Sequence, residues 1–434
     1  MREDAALPSD GITCITMRIH RTITITVLAA LAAATTLAQT PFYLKDGDRV
    51  VFYGDSITDQ RLYTTFTETY VVTRFPAMNV SFTHSGWGGD RVGGGGGGPI
   101  DLRLSRDVFP YKPTVVTIML GMNDGGYRAF DQKIFDTFSS GYEHILDSLK
   151  ANVPASRVTL IQPSPYDDAT RAPLFEGGYN AVLLKFSDYL KTVAETRHLD
   201  LADLNNPVVA MLKKAAVADK EQASKILPDR VHPAAAGHLV MAAALLKAWH
   251  APALVSDVAI NVSDKTAQVK GAKITDIRSG GPVSWTSTEA ALPLPIDTKD
   301  KLVDLAVKSS DVVEALDQEL LRVSGLTAGK WELKIDGAAV ASFSSDDLAK
   351  GVNLALLNTP MLRQALEVHG LTVKHNNIHF MAWRTIQTGL ATDASPYTKQ
   401  NAILALDQLD HELVAEQRAA AQPKQHHFEL VPVN

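Results

Sequence analysis

The chain has 434 residues, 45% of them hydrophobic and 21% charged, with a formal net charge of -6. That length exceeds one ordinary domain of about 100–200 residues, and the balance is that of a globular protein able to bury a sizeable core. The acidic balance gives no footing for nucleic-acid binding or for a basic face docked on a membrane.

Residues 17–38 have the form of a secretory signal. Met17-Arg18-Ile19-His20-Arg21 is a basic start, residues 23–37 are apolar and alanine-rich, and Thr36-Leu37-Ala38 offers a small-residue cleavage site before Gln39. The apolar run is shorter than the roughly 20 residues of a comfortable span. The expectation is an exported protein, periplasmic or extracellular, with no integral membrane span after cleavage; a retained N-terminal anchor is the alternative. Residues 1–16 do not resemble the start of such a signal, which leaves Met1 and Met17 both open as initiators. The single cysteine, Cys14, falls in the removed part, so the mature chain would hold no disulfide, thiol nucleophile or cysteine-bound metal.

From residue 39 to 250, β-prone runs alternate with helical periodicity. Strands are predicted over 50–53, 80–83, 114–120, 157–161 and 199–202. Helices are predicted over 61–75, 130–150, 179–196 and 234–249, the second with Ile134, Phe138, Ile145 and Leu149 on one face. This alternation predicts a parallel sheet covered by helices, with its site at the carboxyl ends of the strands. Residues 251–434 read differently, as a second α+β module of unknown role. Strands are expected over 255–262, 267–277, 282–289 and 331–335, the last running into an Asp336-Gly337 hairpin turn. A helix capped by Thr359-Pro360 should be stopped by Gly370, and another covers 398–421. The six-glycine run Gly93 to Gly98 reads as a flexible loop.

The chemistry gathers at the predicted strand ends. The first strand runs into Gly54-Asp55-Ser56, where a serine at a helix start has free backbone N–H groups nearby. The second runs into His84-Ser85-Gly86-Trp87-Gly88-Gly89-Asp90 and the third into Gly121-Met122-Asn123-Asp124. In Asp229-Arg230-Val231-His232, two intervening residues let the carboxylate reach the imidazole Nδ1 on a turn, leaving Nε2 for the serine. A serine nucleophile needs such a base, an orienting carboxylate and convergent donors for the oxyanion.

In this order and at this spacing, these four blocks resemble those of the SGNH hydrolases, the GDSL esterase/lipase family, over about residues 47–250. Ile57 stands where the family has leucine, and the asparagine usual in the glycine block is replaced around His84. The resemblance implies a flavodoxin-like three-layer α/β/α fold and cofactor-free, metal-free hydrolysis of carboxylic esters through an acyl-enzyme. It implies Ser56 as nucleophile, His232 as general base and then acid, and Asp229 as its orienting group. The oxyanion hole would comprise the Ser56 N–H, a glycine N–H and the Asn123 amide. Among Gly86, Gly88 and Gly89 the preference is Gly89, because the family's oxyanion glycine commonly precedes an acidic residue. Trp87 and Tyr127, beside these donors, are candidate substrate-lining residues.

Other chemistries find less support. No Gly-Lys-Ser/Thr follows the glycine run, no Gly-x-Ser-x-Gly elbow occurs, and His375, His379, His426 and His427 lack carboxylate or cysteine partners at ligand spacing. The expected substrate is a small acyl ester, an acetyl group on a polysaccharide being the first choice. A lipolytic enzyme or lysophospholipase of the same family is the alternative within the class. A non-catalytic polysaccharide- or surface-binding protein on a hydrolase scaffold is the alternative outside it.

Overall fold

Five short strands pair into one parallel sheet in the computed structural model, which describes residues 40–390 and 395–433. They are β1 (Arg49–Gly54), β2 (Ser81–Gly86), β3 (Val115–Met119), β4 (Arg157–Ile161) and β5 (Asp200–Ala202). Their order is β2-β1-β3-β4-β5, and every pairing is parallel. β3 is buried along its whole length, as a strand covered on both faces must be. The covering helices supply aromatic side chains: Phe138 on Gln132–Asn152 stacks on Phe186 of Tyr179–Arg197 with ring centroids 4.4 Å apart. This is the flavodoxin-like α/β architecture. The expected signal segment, residues 17–38, and Cys14 lie outside the described residues.

Register brings the loops of interest to one edge. Gly54 pairs with Gly86 of β2 and Met119 of β3, so the chain leaves three neighbouring strands at the same level. β1 passes into the single turn α1 (Ser56–Asp59), and a break at Arg61, with φ +60°, redirects it into α2 (Leu62–Arg74). Gly86 lies so close beneath α1 that a Cβ there would stand 2.2 Å from the Asp59 nitrogen. Helix α3 (Ala235–Ala248) follows the Asp229–His232 turn and packs on α2.

Beyond residue 250, the apolar core of the parallel sheet continues into Leu294, Ile296, Val303, Ala306 and Leu316. The remaining strands form two sheets. One has the order Ala272–Arg278, Val283–Glu289, Gln425–Val433, Lys330–Ile335, Ala338–Ser344, all antiparallel. The other pairs Val352–Asn353, Gln318–Ser324, Leu254–Asn261 and Thr266–Lys270. Val258, Ile260, Trp285, Leu321, Leu333 and Phe428 make one cluster shared by the two. The expected hairpin turn is present, with Asp336 and Gly337 both at positive φ, the geometry that matches strand twist.

Three expectations are corrected. The run 267–277 is two strands, because Gly271, at φ +69° and close against the Val255 carbonyl, turns the chain between them. Gly370 does not stop its helix: α4 runs Pro360–Phe380 and continues as a wider π-type turn over Met381–Gly389. Val368, Leu371, Thr372 and His375 bury one face of α4, and Gly370 sits on the open side, so packing outweighs its low helix propensity. The glycine run is folded rather than free, with Gly94–Gly95 pairing with Gly98–Pro99. A Cβ at Gly97 would stand 2.4 Å from Arg103 and 2.7 Å from Trp87. Helix α5 (Pro396–Ala420) packs along α4. Among the described residues no helix is long and apolar enough to cross a membrane.

Candidate active site

Ser56 opens α1, with Asp55 as the cap whose carboxylate accepts the Ile57 N–H at 3.0 Å. Its Oγ lies 2.8 Å from His232 Nε2, and His232 Nδ1 lies 2.6 Å from Asp229 Oδ2. The other Asp229 oxygen accepts the backbone N–H groups of Val231 at 3.0 Å and His232 at 2.7 Å, an Asx-type turn that aims the imidazole. Partial burial pushes the Asp229 carboxyl up, but these N–H groups and the imidazole outweigh it and hold the group below the usual carboxylate range. With Asp229 ionised, Nδ1 carries the proton and Nε2 accepts from the serine hydroxyl. Hydroxyl, imidazole and carboxylate are thus linked in sequence, Ser56 from the carboxyl end of β1 and Asp229 and His232 from the turn between helix Lys220–Ile226 and α3 rather than from a strand end as expected.

The three expected oxyanion donors face different constraints. Among the described residues neither the Ser56 N–H nor the Gly89 N–H has a protein partner. By contrast, Gly88 donates its N–H to Asp59 Oδ2 at 3.1 Å. Gly89 is at φ +78°, a conformation costing a residue with a side chain roughly 1–2 kcal/mol. Asn123 donates from Nδ2 to the Asp90 carbonyl at 3.0 Å and accepts at Oδ1 from the Tyr127 hydroxyl at 3.0 Å. Those two bonds orient the amide and leave one N–H free.

Trp87 and Tyr127 stand in different surroundings. Tyr127, 40% exposed, packs with tilted rings beside Tyr166 and Tyr179. Trp87 is enclosed by cations, with the guanidinium of Arg384 3.2 Å above its ring and Arg103 and Arg106 at 5.3 and 5.1 Å. Behind the site, burial pushes Asp55 up to about 7 and Asp124 up to about 6. Sequence reasoning gave no role to Asp59, Arg103 and Asp107, which lie on α1 and on the helix Ile100–Asp107 and take their meaning from contacts with other loops.

Two of the histidines set aside as metal ligands pair with carboxylates. His375 Nε2 is 2.6 Å from the buried Glu68 Oε1, and His426 Nδ1 is 2.7 Å from Asp336. Among the described residues no three His, Cys, Asp or Glu side chains stand together so as to hold a metal ion.

Comparison with known proteins adds three findings. Residues 52–240 match the model of the GDSL-like Lipase/Acylhydrolase family. An acetylxylan esterase of Geobacillus stearothermophilus is 25% identical over 224 residues, which span 46% of this chain and 93% of that enzyme. The solved structure of a gut microbial diltiazem-metabolizing enzyme superposes with a TM-score of 0.77 at 26% identity, covering 91% of this chain and 100% of the other.

Proposed function

Residues 52–240 belong to the GDSL-like lipase/acylhydrolase, or SGNH hydrolase, family, so the protein is a carboxylic ester hydrolase, and we propose that it is an exported serine esterase acting on short acyl esters. The observation that carries the serine mechanism is the aligned relay from Ser56 through His232 to Asp229. Ser56 Oγ attacks the ester carbonyl while its proton passes to His232 Nε2. The Ser56 and Gly89 N–H groups and the Asn123 amide receive the developing oxyanion. Collapse breaks the bond to the alcohol, which leaves with the proton from His232 and an acyl group on Ser56. Water then enters, gives its proton to the same imidazole, and releases the acid by the reverse sequence.

For the substrate we favour an acetyl group on a carbohydrate. The acetylxylan esterase relative matches this chain over 93% of its own length, and the relay is open, with Asp229 and His232 side chains 55% and 36% exposed. The near full-length likeness to a diltiazem-metabolizing enzyme supports a second reading, a drug-sized small molecule. Rates on acetylated xylo-oligosaccharides, diltiazem and long-chain acyl glycerols separate these from a lipase, and a marked preference for long chains would refute both. The serine mechanism is tested by fluorophosphonate labelling: wild type should react at Ser56 and Ser56→Ala should not. An unlabelled wild type would overturn it.

A further inference from the structure

The π-type turn Met381–Gly389 comes late in the chain yet lies against the loop that carries Gly89, and it reaches the neighbourhood of two oxyanion donors by separate arms. In the first arm, Arg384 lies over the Trp87 ring and its Nη2 stands 3.5 Å from Asp59 Oδ2. That same oxygen accepts the Gly88 N–H, so the pair fixes the peptide next to Gly89. In the second arm, Trp383 Nε1 donates to Asp107 Oδ1 at 2.6 Å. Asp107 pairs with Arg103, whose Nε donates to Asp90 Oδ2 at 2.6 Å and whose Nη2 donates to the Ser85 carbonyl at 2.7 Å. The Asp90 carbonyl in turn accepts the Asn123 amide. Arg103, Asp90 and Asp107 are fully buried, so these contacts operate where water screens little.

We propose that Met381–Gly389 braces the oxyanion loop, with Arg384 and Trp383 as positioning residues that hold Gly89 and Asn123 where the developing charge will appear. This deepens the serine-esterase reading and rests on it. Neither residue needs to touch substrate: Arg384 acts through Asp59 and Trp87, and Trp383 through the Asp107–Arg103–Asp90 chain. The extra region would then serve turnover itself.

The test uses the full chain. Arg384→Ala should lower kcat roughly 10- to 100-fold, the scale of a misplacement of about 1 Å, with KM within about twofold. In an Asp59→Ala background the same substitution should cost much less, because the partner through which it acts is gone. Millimolar guanidinium should restore part of the rate to Arg384→Ala. Arg384→Lys, which keeps the charge but not the planar stack on Trp87, should fall between wild type and Ala. If Arg384→Ala does not fold, Arg384→Lys combined with Asp59→Ala carries the same cycle. An unchanged kcat, a loss confined to KM, or additive losses with Asp59→Ala would overturn the inference. Fluorophosphonate labelling in the same series separates the two ideas. A wild type that fails to label at Ser56 sinks the serine mechanism, whereas a labelled wild type with an indifferent Arg384→Ala sinks only the brace.

Discussion

Asn123 is the most direct probe of how this site lowers a barrier. Its amide is fixed by two bonds, donation to the Asp90 carbonyl and acceptance from the Tyr127 hydroxyl, each 3.0 Å long. Only the remaining N–H is available to an oxyanion, so Asn123→Ala removes one donor. Such a loss typically costs about 2.7–4 kcal/mol, or about 10²–10³ in kcat. Because that donor acts chiefly on charge that forms in the transition state, KM should move little. Tyr127→Phe leaves the donor in place but frees the amide to turn. It should cost about one net hydrogen bond, roughly 0.5–1.5 kcal/mol, and about 2- to 10-fold in kcat. Steady-state kinetics on a chromogenic acetyl ester gives both numbers. If Asn123→Ala stays within threefold of wild type in kcat, or if Tyr127→Phe is the more damaging change, the oxyanion assignment is wrong.

Two further outcomes follow from packing and charge. Gly86→Ala would place a methyl 2.2 Å from the Asp59 nitrogen and must push α1 outward, so both thermal stability and kcat should fall, the stability by about 1–3 kcal/mol. Unaltered unfolding and turnover would contradict the close approach of β2 to α1. The Glu68–His375 pair should make stability pH-dependent. Burial alone would push His375 down, but Glu68 and Asp410 outweigh it and raise the imidazole to about 10. The folded state therefore binds a proton that the unfolded chain, at about 6.5, releases. The stabilisation is complete below about pH 6.5 and is lost as pH rises towards about 10. Tm should fall across that window, and His375→Gln should be less stable at pH 6 and show a flatter profile. An equal slope in the variant would refute the pairing.

The strands and helices that position the site were legible because each is encoded locally. Apolar runs such as Val50-Val51-Phe52-Tyr53 mark buried strands, and two residues between Asp229 and His232 suffice to describe a turn. Sequence favours Gly89 only through the family pattern; that the Gly88 N–H is already engaged depends on Asp59, a side chain on another loop. The brace was illegible for a stronger reason. Arg384 and Trp383 sit in a helical stretch with no motif, and their meaning lies in contacts with Trp87, Asp59 and Asp107. Gly370 misled in the same way, since its helix survives by tertiary burial on α2 and α5 rather than by local preference.

The strand Gln425–Val433 occupies the middle of its sheet, between the hairpin 272–289 and the hairpin 330–344. Those hairpins share no pairing except through it, so each must wait with an open hydrogen-bonding edge until a much later segment arrives. During synthesis both hairpins are made before this strand, so until it pairs each presents an open β-edge, the condition under which chains stick to one another. Pairing of this late strand is the step that closes both edges.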